Sequence, residues 1–159
     1  MKILLDTNIL ISAFVFGGAV GKLLNLLMAL DYEMYVSDYV NSEFREKLER
    51  RWPDKANVVY GKYRTMPFVF CDSTKRVLCD LRDSKDNPVL SDAIHHKVDI
   101  LLTGDKDLLE SGAKYPMIFR RPCCSIIYSI IEYKIVEGSD KYVLYAVRYA
   151  VAGWRKVLC

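Results

Sequence analysis

The chain lacks most of the features that would place it in a class at once. No apolar run approaches the ~18 residues of a membrane span. Its five cysteines (Cys71, Cys79, Cys123, Cys124 and Cys159) are odd in number and contain no Cys-x-x-Cys. That argues against a zinc knuckle and against a disulfide framework, and for a reduced, cytoplasmic chain. The first residues hold a lysine and the charged Asp6, which predicts no signal peptide. There is no internal repeat, no low-complexity segment and no domain-scale linker. A net charge of +3 is too small to identify a partner.

What is present is ordinary soluble composition, 52% hydrophobic and 27% charged, in 159 residues. That length suits one domain with a sizeable core. Charge is unevenly spread. Residues 120–159 hold seven basic and three acidic side chains, so the preceding 119 total −1. Such a division suits a metal site beside a polyanion surface, and equally a solvated helix.

The start of the chain organises the rest. Ile3, Leu4 and Leu5 form an apolar run that stops at Asp6, and Thr7-Asn8 then leads into a second apolar stretch, Ile9 to Val15. A continuous apolar run reads as a strand buried on both faces, as in a parallel sheet. Asp6 then falls at the carboxyl end of a strand, where open α/β sheets bind ligands, unless it merely caps the next helix. Further along, Gly17-Gly18 precedes a leucine-rich helix, Val20 to Leu30, and Glu33 to Ser37 reads as a second strand. Ser37 or Asp38 can cap a helix through Arg51, with Val40, Phe44, Leu48 and Trp52 as its core stripe. A weaker helix covers Lys55 to Arg64, and Pro67 to Cys71 is a third strand. Pro88 to Lys97 is helical, Val98 to Leu102 is a fourth strand and Met117 to Phe119 a fifth. Strands alternating with helices indicate an α/β fold with a parallel sheet.

Four acids now stand near strand ends or helix starts: Asp6, Glu43, Asp86 and Asp105. Each has a plain structural explanation. Glu43 can pair with Lys47 one helical turn on, and Asp105 can cap the turn before Leu108. Yet Asp6 and Asp105 end two buried strands on the same edge. Clustered carboxylates repel one another unless a cation neutralises them. Hard oxygen ligands suit Mg²⁺ or Mn²⁺.

The stretches Leu5-Asp6-Thr7-Asn8-Ile9-Leu10-Ile11-Ser12-Ala13, Val36-Ser37 with Glu43 to Leu48, Arg82-Asp83-Ser84-Lys85-Asp86-Asn87 and Leu102 to Leu108 resemble the four signatures of PIN-domain nucleases. The branch they are most similar to is the toxin component of VapBC-type toxin–antitoxin modules. The resemblance spans residue 1 to about 120. It implies a three-layer α/β/α fold with a mainly parallel sheet over residues 1–122. It also implies a metal-dependent endoribonuclease acting on single-stranded or structured RNA, with Mg²⁺ or Mn²⁺ as cofactor. Asp6, Glu43, Asp86 and Asp105 carry over as catalytic acids, with Asp6, Asp86 and Asp105 as the metal ligands. Asn8, Thr103 and Asp107 match supporting positions. A cognate antitoxin and a homodimer are the implied partners, with no membrane. Asp83 and Asp92 compete with Asp86 in the third motif.

Rival readings fit less well. A phosphatase of the haloacid dehalogenase type wants an Asp where this chain has Asn8, and the lysine of a response-regulator receiver is not evident. Asp92 and His96 have metal-ligand spacing, although His95 and His96 also suit a helix C-terminus. A catalytically silent PIN-fold module that binds RNA or protein is the alternative from another class. Residues 123–159 extend past the resemblance. Tyr142, Tyr145, Tyr149 and Trp154 give them an aromatic, apolar character that predicts an ordered element packed on the domain or on another subunit.

Overall fold

Ile3, Leu4 and Leu5 are almost wholly inaccessible to solvent, as a strand with neighbours on both edges and helices on both faces requires. The computed structural model describes residues 1–76, 78, 87–111 and 116–120. This strand, β1 (Lys2–Leu5), is the centre of a five-stranded sheet ordered β3-β2-β1-β4-β5. The others are β2 (Glu33–Ser37), β3 (Val69–Cys71), β4 (Ile100–Thr103) and β5 (Met117–Arg120). Every pairing is parallel, with Leu4 opposite Tyr35 on one side and Leu101 on the other. The helices that flank it are α1 (Thr7–Ile11), α2 (Gly18–Ala29), α3 (Asp38–Arg51), α4 (Pro53–Arg64), α5 (Asn87–His95) and α6 (Lys106–Leu109). This is the expected α/β/α arrangement, with a sheet that is parallel throughout.

Strand order sets the position of the site. The chain runs outward from β1 through β2 to β3, then returns to the other side of β1 for β4 and β5. The order therefore reverses between β1 and β4. Beyond their carboxyl ends, the connections leave in opposite directions and open a crevice. Asp6 follows β1 directly, and Asp105 lies two residues past β4.

Local chemistry explains the helices beside that crevice. After α1 the chain passes through a π-helical turn, Ser12–Phe16, and then bends by 106° into α2. Gly17 and Gly18 make the bend at φ of 69° and 58°, a region costly for residues with a Cβ. Among the described residues no single helix is long and apolar enough to cross a membrane. Ser37 caps α3, its hydroxyl accepting from the Val40 N–H at 3.5 Å. Val40, Phe44 and Leu48 are fully buried along one stripe. Trp52, expected to continue it, does not. It precedes Pro53, which disfavours helical backbone, and its φ of −140° turns the ring out against exposed Phe16, 5.7 Å away. The same proline starts α4 two residues before the expected Lys55.

Aromatic packing fixes α3 over the site. Tyr63 is fully buried, with Phe44 at 5.0 Å, Phe68 at 5.6 Å and Phe14 at 5.7 Å between ring centres. Its hydroxyl donates to Asn41 Oδ1 at 3.0 Å, so the buried phenol carries no unpaired donor. The expected element over residues 123–159, and Asp83 and Asp86, lie outside the described residues.

Candidate active site

Asp6 stands where the sheet ends. Its backbone N–H donates to the Leu102 carbonyl at 3.0 Å, one rung beyond the β1–β4 pairing, which brings it beside Thr103. The Thr103 hydroxyl donates to Asp6 Oδ2 at 2.6 Å and accepts from the Asp105 N–H at 2.9 Å. One buried hydroxyl thus ties the first acid to the backbone of the last. Asn8 Nδ2 reaches the same Asp6 oxygen at 3.4 Å, a weaker contact. Thr103 and Asn8 therefore both contact the same oxygen of Asp6.

Asp6 precedes α1 in the capping position, yet its side chain makes no capping bond there. Capping alone does not explain it. Only 5% of the residue is exposed. Burial raises its carboxyl above the ordinary 3.8, the Thr103 bond opposes that rise, and the Glu43 charge adds to it. Thr7 N–H and Lys47 pull the other way more weakly. Glu43 thus acts on Asp6 from α3, a helix that packs against α1. Lys47 lies 2.9 Å from Glu43 Oε1, so the plain i,i+4 pairing is realised.

Asp105 has a structural duty as well. Its Oδ1 accepts from the Asp107 N–H at 2.8 Å and caps α6. Asp107 sits in the first turn of that helix, its backbone already used to fix Asp105. The crevice therefore brings Asp6, Thr103, Asn8 and the Asp105 backbone together, with the Glu43 charge acting on Asp6 from α3. Among the described residues, no three His, Cys, Asp or Glu side chains are gathered closely enough to hold a metal ion. The donor chemistry nevertheless fits a hard divalent cation. A carboxylate whose charge is disfavoured by burial and by a second carboxylate is one that such an ion would restore.

Asp92 proves to be occupied elsewhere. It is fully buried, and its Oδ1 accepts from the Thr74 N–H at 2.7 Å, while Oδ2 has no hydrogen-bond partner among the described residues. His96 Nε2 contacts the Asp72 carbonyl at 2.7 Å, and the Ser91 hydroxyl accepts from the Leu78 N–H at 3.0 Å. The Asp92/His96 spacing that resembles a ligand pair instead latches the segment leaving β3. Sequence reasoning missed this role, for which the helical spacing of Asp92 and His96 was the one signal. Thr7, beside Asp6, keeps a buried hydroxyl without a partner among the described residues.

The fold is similar to several solved structures. The VapBC2 structure from Rickettsia felis, bound to a DNA fragment from its promoter, aligns with a TM-score of 0.60 at 15% identity, covering 76% of this chain and 98% of that one. VapC20 of Mycobacterium tuberculosis, a Sarcin-Ricin loop cleaving toxin, gives 0.52 at 17% identity, covering 69% and 95%. The PIN domain endonuclease Utp24 gives 0.52 at 20% identity, covering 77% and 86%. No functionally curated protein matches the chain. The family model for the PIN domain matches residues 2–107, most of the length over which the crevice is built, and the chain belongs to the PIN-domain family.

Proposed function

We propose that this protein is a divalent-metal-dependent endoribonuclease that cleaves single-stranded or structured RNA. In this reading it is a cytoplasmic, dimeric toxin held in check by a cognate antitoxin. The observation that carries the proposal is Asp6. It is a nearly inaccessible carboxylate at the switch point of a parallel sheet, oriented by Thr103 and Asn8 and pushed toward its neutral form by burial and by Glu43. An acid placed at such cost to its charge is a functional candidate. Membership of a nuclease-fold family supports the same reading.

Asp6 and Asp105, with Asp86 from the third motif, would hold Mg²⁺ or Mn²⁺. A divalent ion there supplies a water of lowered pKa and neutralises charge building on the scissile phosphate. Glu43 would help hold that ion or orient the water it supplies. Thr103 fixes the rotamer of Asp6 while its contact to the Asp105 N–H keeps the two strand ends in step. No serine or cysteine nucleophile enters the scheme.

The test is cleavage of single-stranded, structured and fully paired RNA by purified, antitoxin-free protein, with Mg²⁺, Mn²⁺ or EDTA. Metal-dependent internal cuts in the first two are expected. Cleavage that persists in EDTA would overturn the reading. RNA or protein binding without turnover at any metal concentration would favour the silent module instead.

A further inference from the structure

Phe16 ends the helical run that starts beside Asp6, and it is 70% exposed. A lone exposed phenylalanine needs no explanation, but Phe16 is not alone. The Trp52 ring, itself partly exposed, meets it edge to face with 84° between the planes, a contact that takes one face of one ring and the edge of the other. The next two residues, Gly17 and Gly18, line an open cavity of about 330 Å³. Phe14, Leu24 and Met66 give it an apolar wall, Lys22, Lys62 and Asn25 add polar groups, and none of its lining residues is acidic. A Cβ added at either glycine would meet nothing within 4 Å, so the backbone there is open to a ligand. Cations stand beside the rings too. Arg51 precedes Trp52, and the Lys55 N–H donates to the Trp52 carbonyl at 3.0 Å. Lys22, Arg51, Lys55 and Lys62 are all exposed, and none is in an ion pair among the described residues. Asp54, also exposed, offsets one of the four charges.

We propose that this face is a second contact site for single-stranded RNA, separate from the crevice in which the strand is cut. The inference rests on the reading that the substrate is RNA, and deepens it. Unpaired bases stack on Phe16 and Trp52, the four cations follow the phosphates, and the cavity beside Gly17 and Gly18 receives a base or a sugar. Aromatic rings held out in solvent, with unpaired cations around them, are the combination by which single strands are gripped without regard to sequence. An acidic protein segment would satisfy the cations but leave the ring pair without a specific role. Paired RNA hides the faces of its bases, so the site favours single strands. Its distance from the crevice sets a length. Phe16 lies ten residues beyond Asp6 along Thr7–Phe16, at most roughly 15 Å away. At about 3.4 Å per stacked nucleotide, four or five nucleotides span the gap.

The test is fluorescence anisotropy of labelled single-stranded RNA, about 20 nucleotides long, in EDTA so that binding is read apart from metal and cleavage. Full-length wild type, F16A, the double variant K22Q/K62Q and the control V58A are compared, with circular dichroism as the check on folding. Val58 is 76% exposed yet belongs to neither the ring pair nor the cavity lining. F16A should bind on the order of tenfold more weakly, the loss of one base stack. K22Q/K62Q should reduce the slope of log affinity against log salt by about 1.4, two phosphate contacts at about 0.7 each. V58A should match wild type. Folded F16A and K22Q/K62Q that bind the strand as wild type does overturn the proposal, even where metal-dependent cleavage stands. Wild type that binds no single strand in EDTA overturns it as well, and cleavage with Mn²⁺ then decides the nuclease reading separately. Variants that keep RNA affinity but lose a co-purifying protein would assign the face to a protein partner and not to RNA.

Discussion

Replacing Thr103 by valine exchanges one hydroxyl for a methyl group of nearly the same shape. The residue is fully buried, so no solvent substitutes for what is lost. Two bonds disappear: the 2.6 Å donation to Asp6 Oδ2 and the 2.9 Å acceptance from the Asp105 N–H. A bond to a charged acceptor contributes about 1.5–3 kcal/mol and a neutral one about 0.5–1.5 kcal/mol. The variant should therefore lose on the order of 2–4 kcal/mol and melt roughly 10 °C lower at neutral pH. The pH dependence gives a second check. Asp6 has a raised carboxyl in the folded protein, so its ionisation costs stability. That cost is absent below the unfolded value near 3.8 and is fully present once pH has passed the folded value. Thr103 opposes the rise, so T103V lifts the folded value further, and its deficit against wild type grows as pH climbs from the wild-type folded value to the higher one of the variant. Thermal melts of wild type, T103V and T103S from pH 4 to pH 8 measure this, and T103S should recover most of the loss. A T103V melt matching wild type at pH 7, or a deficit that shrinks as pH rises, would refute the bridging role.

Asp6→Asn should remove RNA cleavage yet raise the melting temperature of metal-free protein at neutral pH, because it deletes a charge that burial and Glu43 both disfavour; a lower melting temperature would contradict that. Asp92→Ala leaves the Thr74 N–H without its acceptor and should cost about 1–3 kcal/mol, with faster proteolysis near Thr74, whereas Asp92→Asn keeps an acceptor and should cost far less. Equal losses in chemical denaturation of the two variants would show that the charge of Asp92, and not the bond, is what matters. The Cys71 thiol is half-buried and faces the charges of Asp92, Asp38 and Asp72, which with burial push it up to about 12. It should remain protonated at neutral pH and react slowly with iodoacetamide, as followed by peptide mass spectrometry; labelling in the native protein as fast as in urea would exclude this.

Most of the sheet was legible because strands buried on both faces carry an unmistakable signal. Ile3 to Leu5 and Ile100 to Leu102 are unbroken apolar runs, and Glu33–Ser37 forms a strand with the limits its sequence suggests. Edges were less clear. The third strand shrinks from Pro67–Cys71 to Val69–Cys71, an edge strand that is half exposed, where hydrophobicity no longer marks the ends. The fourth loses Val98 and Asp99 at its start. There Asp99 accepts the Lys2 N–H through its carboxylate at 2.7 Å, a bond between strands that no local pattern announces. The π-helical turn at Ser12–Phe16 was invisible for a related reason. Apolar spacing over five residues does not distinguish one kind of helical turn from another.

The site divides along the same line, between what one segment states and what two must state together. A carboxylate ending an apolar run can be found by inspection, and Asp6 and Asp105 were found that way. Whether Asp6 caps a helix or serves a crevice was not decidable from its neighbours, since Asp before an apolar helix fits both. What bears on it is Thr103, 97 positions away, whose hydroxyl donates to Asp6 Oδ2, while α1 has no side-chain cap. Glu43 poses the same problem. Its partner Lys47 is visible one turn along, and on sequence alone the pair resembles the two exposed pairs beside it. Phe44 and Leu48, the next residues along, are fully buried, and the Glu43–Lys47 pair beside them is far less exposed than the other two, which separates it from a surface ion pair. Residue type thus located the acids, while long-range packing assigned their charges to one another. It follows that substitutions at Phe44 should disturb Glu43 more than any change to the exposed Arg45–Glu49 pair, although both lie within two turns of the same helix.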